Sequence, residues 1–367
     1  VGVPHGWTPP PKPGLIPLRP LTLGPILSAS FQVMRRNPRA TLEPALILSV
    51  LLTIVTAVGL TGYIAALSRV SFAANSDDAN ALAAGSLVVS ILVLLLGGAA
   101  LTIATAVLQA LIVTEVARGT VGEKLRLGQL WARARGRIGA VVGYTVLLIL
   151  AAGVGIAIFF GIIVAIATAT VVGNSSTTSP NDLVGVMFAT FGVVILGYLG
   201  IAVVALWLST KLAFVPAAIV LERLPIRAAI ARSWTLTRGY FWRTLGIQLL
   251  VAVMISFATQ VVTIPVSVII SLGTTLLIPT GGTTTDPASA MAPVIIGLVI
   301  TSAIVAVVTA VGLVLQSATA SLLYLDLRMR KEGLDLELLR FVEARESGVE
   351  VADPYLPHRQ APAPAAS

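Results

Sequence analysis

Cysteine is absent from the 367-residue chain, and the only histidines are His5 and His358. These residues therefore hold no disulfide, no thiolate nucleophile and no cysteine metal site. Charge is scarce too. Asp, Glu, Lys and Arg make up 11% of the chain, against roughly 25% in soluble domains. Also missing are HExxH, a Walker A loop, GxSxG and a dinucleotide fingerprint, so the familiar hydrolase and nucleotide-binding classes find no support. What the chain has is apolar surface: 56% hydrophobic residues and a mean hydropathy of +0.96. Several runs exceed the roughly 18 apolar residues that span a bilayer, which marks an integral membrane protein. The net charge of +8 reads as retention of basic loops beside anionic lipid. No nucleic-acid motif accompanies it, so nucleic acid is not an expected partner.

The chain is organised around residues 224–245, LPIRAAIARSWTLTRGYFWRTL. At 100° per residue, Ile226, Ala229, Ile230, Ser233, Trp234, Thr237 and Phe241 share one arc, and Arg227, Arg232, Arg238 and Arg243 take the other. This predicts a short amphipathic helix lying along a membrane surface. Pro225 suits its first position and Gly239 a left-handed C-terminal cap, with a new apolar helix starting near Tyr240.

Taken in order, residues 1–20 are Pro-rich and predict a disordered tail that is not a signal peptide. Residues 21–36 give a first amphipathic element, with Leu23, Leu27, Phe31 and Met34 on a stripe, Arg35 and Arg36 at its end, and Asn37-Pro38 as the break. A second lies in 123–137, with Leu127, Leu130, Trp131 and Ala134 on one face and Gly136 as the break. Apolar spans are predicted at about 45–67, 81–113, 138–172, 183–210, 245–278 and 291–325. Lys211 interrupts the fourth, and Pro216 kinks its continuation. A second disordered tail is expected over 346–367.

The four segments on one side of these spans hold 5, 6, 6 and 6 of the 24 Lys and Arg residues, and only Arg69 falls elsewhere. The positive-inside rule then places both termini in the cytoplasm. The chain also repeats. At a constant shift of 203, Leu21, Ser30, Phe31, Arg35, Thr41 and Leu42 correspond to Leu224, Ser233, Trp234, Arg238, Thr244 and Leu245. The predicted fold is all-α, an integral membrane protein of six transmembrane helices arranged as three hairpins, each preceded by an in-plane amphipathic helix. The membrane domain covers 21–345, in units of about 21–117, 123–221 and 224–325.

Three stretches carry a resemblance: 17–42, PLRPLTLGPILSASFQVMRRNPRATL; 231–246, ARSWTLTRGYFWRTLG; and 322–338, LLYLDLRMRKEGLDLEL. Together they resemble the glycerophosphoryl diester phosphodiesterase membrane domain family of bacterial multi-span proteins, over nearly all of the chain from Pro17 to about Arg345. In some members this domain is fused to a catalytic barrel. The present residues leave no room for that barrel, so the resemblance implies the membrane domain and not the hydrolase. It also implies a bacterial cell membrane as the location.

No catalytic, cofactor-binding or metal-binding residue is expected. A phosphodiesterase would need a histidine and clustered carboxylates, and both histidines fall in the tails. Glu43, Glu115, Glu222 and Asp326 read as interfacial ion pairs with Arg39, Arg118, Arg223 and Arg328 or Arg330, or else as a rim for a lipid headgroup. Gln109, Lys211, Gln260 and Gln316 lie within or beside spans and form the one candidate polar cavity. Arg35, Arg36, Arg133, Arg135, Arg227, Arg232 and Arg238 are the candidate membrane-surface cations, with anionic lipid headgroups as partners. The leading function is a non-catalytic scaffold or accessory membrane component. The alternative is a transporter or flippase for a small anionic or lipidic substrate.

Overall fold

The computed structural model describes residues 14–72, 77–173, 180–277, 287–347 and 353–356. His5, His358, the 279–286 part of the third loop and most of the NSSTTSPND loop lie outside them. The described residues form ten α-helices: α1 (Leu23–Arg36), α2 (Pro38–Phe72), α3 (Asp77–Thr120), α4 (Leu127–Gly173), α5 (Pro180–Leu212), α6 (Val215–Leu221), α7 (Ile226–Thr237), α8 (Phe241–Leu277), α9 (Pro287–Glu332) and α10 (Leu334–Glu346). Six stretches are long and apolar enough to cross a bilayer, in α2, α3, α4, α5–α6, α8 and α9.

The 203-residue repeat is visible in the helix boundaries. Leu23 and Ile226 open α1 and α7, and Pro38 and Phe241 open α2 and α8. Each elbow has its own chemistry. The Asn37 carbonyl accepts from the Ala40 and Thr41 N–H groups, and Pro38 has no N–H that needs an acceptor. At the other elbow Gly239 adopts φ +86°, a left-handed conformation that glycine enters without a Cβ clash.

Two expectations fail here. The middle amphipathic element is not a separate in-plane helix, because α4 runs unbroken through Gly136. One glycine inside a helix costs about 1 kcal/mol, too little to end it without a proline or a left-handed residue beside it. The tails also contribute to the core. Leu15, Ile16 and Leu18 are buried, and the Leu15 N–H donates to the Gly119 carbonyl at 2.9 Å. Tyr355 is buried against the end of α3, its hydroxyl bonded to Thr120 and to the Ala117 carbonyl.

The packed core sits at the basic end. Phe214, Ile219, Ile26, Leu236, Leu322 and Tyr324 meet there, from α6 and its edge, α1, α7 and α9. Further along, apolar residues face outward, as they do when lipid is the solvent. Nothing in the most apolar stretch of α4 or of α5 is buried. Within α2 and α3 small residues permit close approach: a Cβ on Gly97 would lie 2.4 Å from Val55 Cγ1, and one on Gly59 2.4 Å from Leu94 Cδ2.

Candidate functional site at the basic end

Each hairpin's second limb closes on a buried acid. Glu115 near the end of α3, Glu222 just beyond α6 and Asp326 near the end of α9 are 1%, 3% and 0% exposed. A left-handed residue follows each: Gly122, Arg223 and Gly333. The chain thus reverses at the residue after Glu222 and about two helical turns after Glu115 and Asp326.

Asp326 joins the two ends of the repeat. It accepts from the Leu21 N–H at 2.7 Å, from Arg243 at 2.5 Å and from Arg330 Nε at 3.0 Å. Arg243 and Arg330 both donate to the Leu21 carbonyl at 2.7 Å. Start of α1, start of α8 and end of α9 are thereby held at one point. Glu222 accepts two bonds from Arg232 Nε at 3.0 Å, another from the Tyr324 hydroxyl, and lies 3.6 Å from Arg328 Nε. Arg232 reaches on to Glu332 at 2.6 Å. Burial opposes its charge, but the Glu332 and Glu222 carboxylates outweigh that and raise its pKa, so it stays ionised. Glu115 differs. Its Oε1 accepts from Asn37 Nδ2 at 3.2 Å, while its Oε2 is buried without a partner among the described residues.

The local ion pairs expected from sequence are found only for Asp326 with Arg330. Arg118 turns to Asp353, Glu222 takes Arg232 and Arg328, and Glu43 is exposed. Among the candidate surface cations, Arg35, Arg133, Arg135, Arg227 and Arg238 are exposed. Three are not free, a correction to the sequence reading: Arg133, though exposed, pairs with Glu123 at 3.3 Å. Arg36 donates to the carbonyls of Gly119, Gly122 and Glu123, where α3 ends, and Arg232 lies in the Glu222 network. Arg36 thereby answers the unpaired carbonyls of a helix C-terminus, while Arg232 is held by the Glu222 and Glu332 carboxylates.

On α7 much of the face predicted to meet lipid packs on protein, with Ala229, Ser233 and Thr237 buried. On α1 the predicted stripe keeps Leu23 and Phe31 exposed, and it is the neighbouring Ile26, Ser30 and Val33 that are buried. Ser30 Oγ meets Thr319 Oγ1 at 3.0 Å, and Ser233 Oγ donates to the Lys211 carbonyl at 2.7 Å and accepts from the Phe214 N–H at 3.3 Å. Of the four candidate cavity residues, Gln109 is half-buried, Gln260 and Gln316 are exposed, and none lines either of two well-formed cavities along α8. Lys211 Nζ lies 5.3 Å from the Trp234 ring and 5.5 Å from the Phe241 ring, in cation–π range of both.

Six bilayer-length apolar stretches capped by one basic end define a multi-pass α-helical membrane protein. Residues 175–350, just under half the chain, match the family model described as the membrane domain of glycerophosphoryl diester phosphodiesterase. The match takes in the 231–246 and 322–338 stretches; 17–42 lies outside it. It is to a membrane module separate from the catalytic part of that enzyme, so it brings no hydrolytic chemistry with it. No curated protein and no solved structure matches the chain.

Proposed function

We propose that the protein is a non-catalytic membrane scaffold or accessory component, with its basic end and both termini on the cytoplasmic side of a bacterial membrane. The observation that carries this reading is the Asp326 and Glu222 clamps, which bind α1, α7, α8 and α9 into one rigid platform. Carboxylates committed to buried ion pairs hold geometry, and they are poorly placed to exchange protons with a substrate. Around the platform, Arg35, Arg135, Arg227 and Arg238 offer exposed positive charge to anionic headgroups. Arg and Lys clustered at one end of the spans support the cytoplasmic orientation.

The absence of native cysteine makes the test direct. With Ser176→Cys, a membrane-impermeant maleimide should label intact cells. With Arg227→Cys, labelling should require permeabilisation. The opposite pattern would overturn the orientation and, with it, the headgroup-facing platform.

A further inference from the structure

Two cavities run end to end along α8. The first, about 420 Å³, is bordered by Leu21, Trp242, Arg243, Ile247, Leu250 and Arg330. The second, about 200 Å³, continues between α1, α8 and α9 past Phe31, Met254, Ala258, Val311 and Gly312. Leu250 ends one and its neighbour Val251 begins the other. From Trp242 to Ala258 the helix rises about 24 Å, which exceeds the roughly 15 Å depth of one leaflet's hydrocarbon.

The two ends of this groove differ in chemistry. At the mouth, Arg243 and Arg330 face a single carboxylate, Asp326, which leaves one positive charge in excess. Each guanidinium carries five N–H donors. Toward the protein, Arg243 spends one on Asp326 and one on the Leu21 carbonyl, as does Arg330. The remaining donors suit an oxyanion, and arginine pairs bind phosphate well. No carboxylate lines either cavity. Beside the mouth stands Trp242, 80% exposed, an aromatic of the kind that settles at the headgroup level. Deeper in, the lining is almost wholly apolar, and the Ser30 and Thr319 hydroxyls there are already bonded to each other.

We infer that this groove binds one anionic phospholipid, its phosphate on Arg243 and Arg330 and one acyl chain along α8 between Phe31 and Ala258. The site rests on the reading above that the basic end lies at the membrane–water interface. It goes further, because a groove with one charged mouth selects a single lipid molecule where exposed arginines would only gather a diffuse layer. Through Asp326 the same two arginines hold the start of α1, so the bound lipid sits against the clamp itself.

The test is native mass spectrometry of the full chain in detergent, titrated with dioleoyl phosphatidylglycerol. Wild type should retain one lipid. Ala258→Trp, which fills the groove without touching the clamp, and Arg243→Gln, which removes a charged donor, should each weaken retention about tenfold. Arg340→Gln, at an exposed arginine on α10, should leave it unchanged. Inorganic phosphate should fail to displace the lipid. The site is refuted if Ala258→Trp binds as wild type does, since that variant leaves the ion pairs intact. Equal loss in Arg243→Gln and Arg340→Gln would show a diffuse basic surface instead. Displacement by inorganic phosphate would show a site for a free anion. Because the cysteine labelling reads sidedness alone, failure of lipid retention with the expected labelling sinks this site and leaves the orientation standing.

Discussion

The first and third units of the repeat share a plan that the middle unit has lost. In α1–α2 and α7–α8 a short helix, an elbow and a long helix succeed each other at the same 203-residue offset. In α4 the corresponding residues run straight into the span. The offset from Glu123 to Glu222 places Leu130 and Ala134 against Ala229 and Ser233, and all four are buried. Burial pattern alone therefore does not make an elbow. The outer units add a residue that leaves helical geometry, Asn37 or Gly239, and a serine that anchors the short helix by its hydroxyl. The middle unit has Gly136 in helical conformation and Ala134 with nothing to bond.

The buried acids extend the contrast, and removing them should break it most severely. Asp326→Asn strips the charge that faces both Arg243 and Arg330. Breaking a buried pair costs 3–5 kcal/mol, and the arginines here stay about a quarter exposed, so a loss of about 3 kcal/mol is expected from thermal unfolding in detergent. Glu115→Gln should stay within about 1 kcal/mol of wild type, because the amide oxygen still accepts from Asn37 and a buried carboxylate with one unpartnered oxygen is replaced by a neutral group. Equal losses would mean that these two acids are equivalent, and that the clamp joining first and third units has no special weight.

Next in size are the anchoring serines. Ser233→Ala removes the acceptor of the Phe214 N–H as well as the donor to Lys211, and should cost about 2 kcal/mol. Ser30→Ala loses one bond across to Thr319 and should cost about 1 kcal/mol, since Thr319 Oγ1 keeps the Leu315 carbonyl. Unfolding midpoints of the two variants in one detergent decide the order. If Ser30→Ala proves the costlier, α1 depends on its anchor more than α7 does.

Much of this was legible in the sequence, and what was not has a physical reason. The six spans, the basic end and the offset between units follow from apolar run length and arginine placement, which depend on neighbours along the chain. The partner of an amphipathic face does not. Ala229, Ser233 and Thr237 recur at helical spacing whether the face meets lipid or protein, so sequence predicts a lipid-facing arc on α7 where these three residues are core. Long-range pairing was equally hidden. Arg232 lies 10 residues from Glu222 and Tyr324 lies 102 away, distances on which periodicity is silent. A signal did exist for the tail segment. Leu15, Ile16 and Leu18 form an apolar cluster inside a Pro-rich stretch, and such a cluster is poor material for a solvated tail.

The finest test uses one substitution at two glycines, one at an elbow and one inside a helix. Gly239 sits at φ +86°, where a Cβ is strained even though no neighbouring atom lies within 4 Å of it, so Gly239→Ala should destabilise by about 1 kcal/mol. Gly136 is also free of neighbours within 4 Å but is helical, so Gly136→Ala should stabilise by about 0.5–1 kcal/mol. Because crowding is absent at both positions, backbone conformation is the only difference that the substitution reads. Opposite signs in matched unfolding curves would show that the third unit keeps a true elbow where the middle unit has straightened. A destabilising Gly136→Ala would mean that α4 bends at this point in the membrane, restoring the break that its sequence promised.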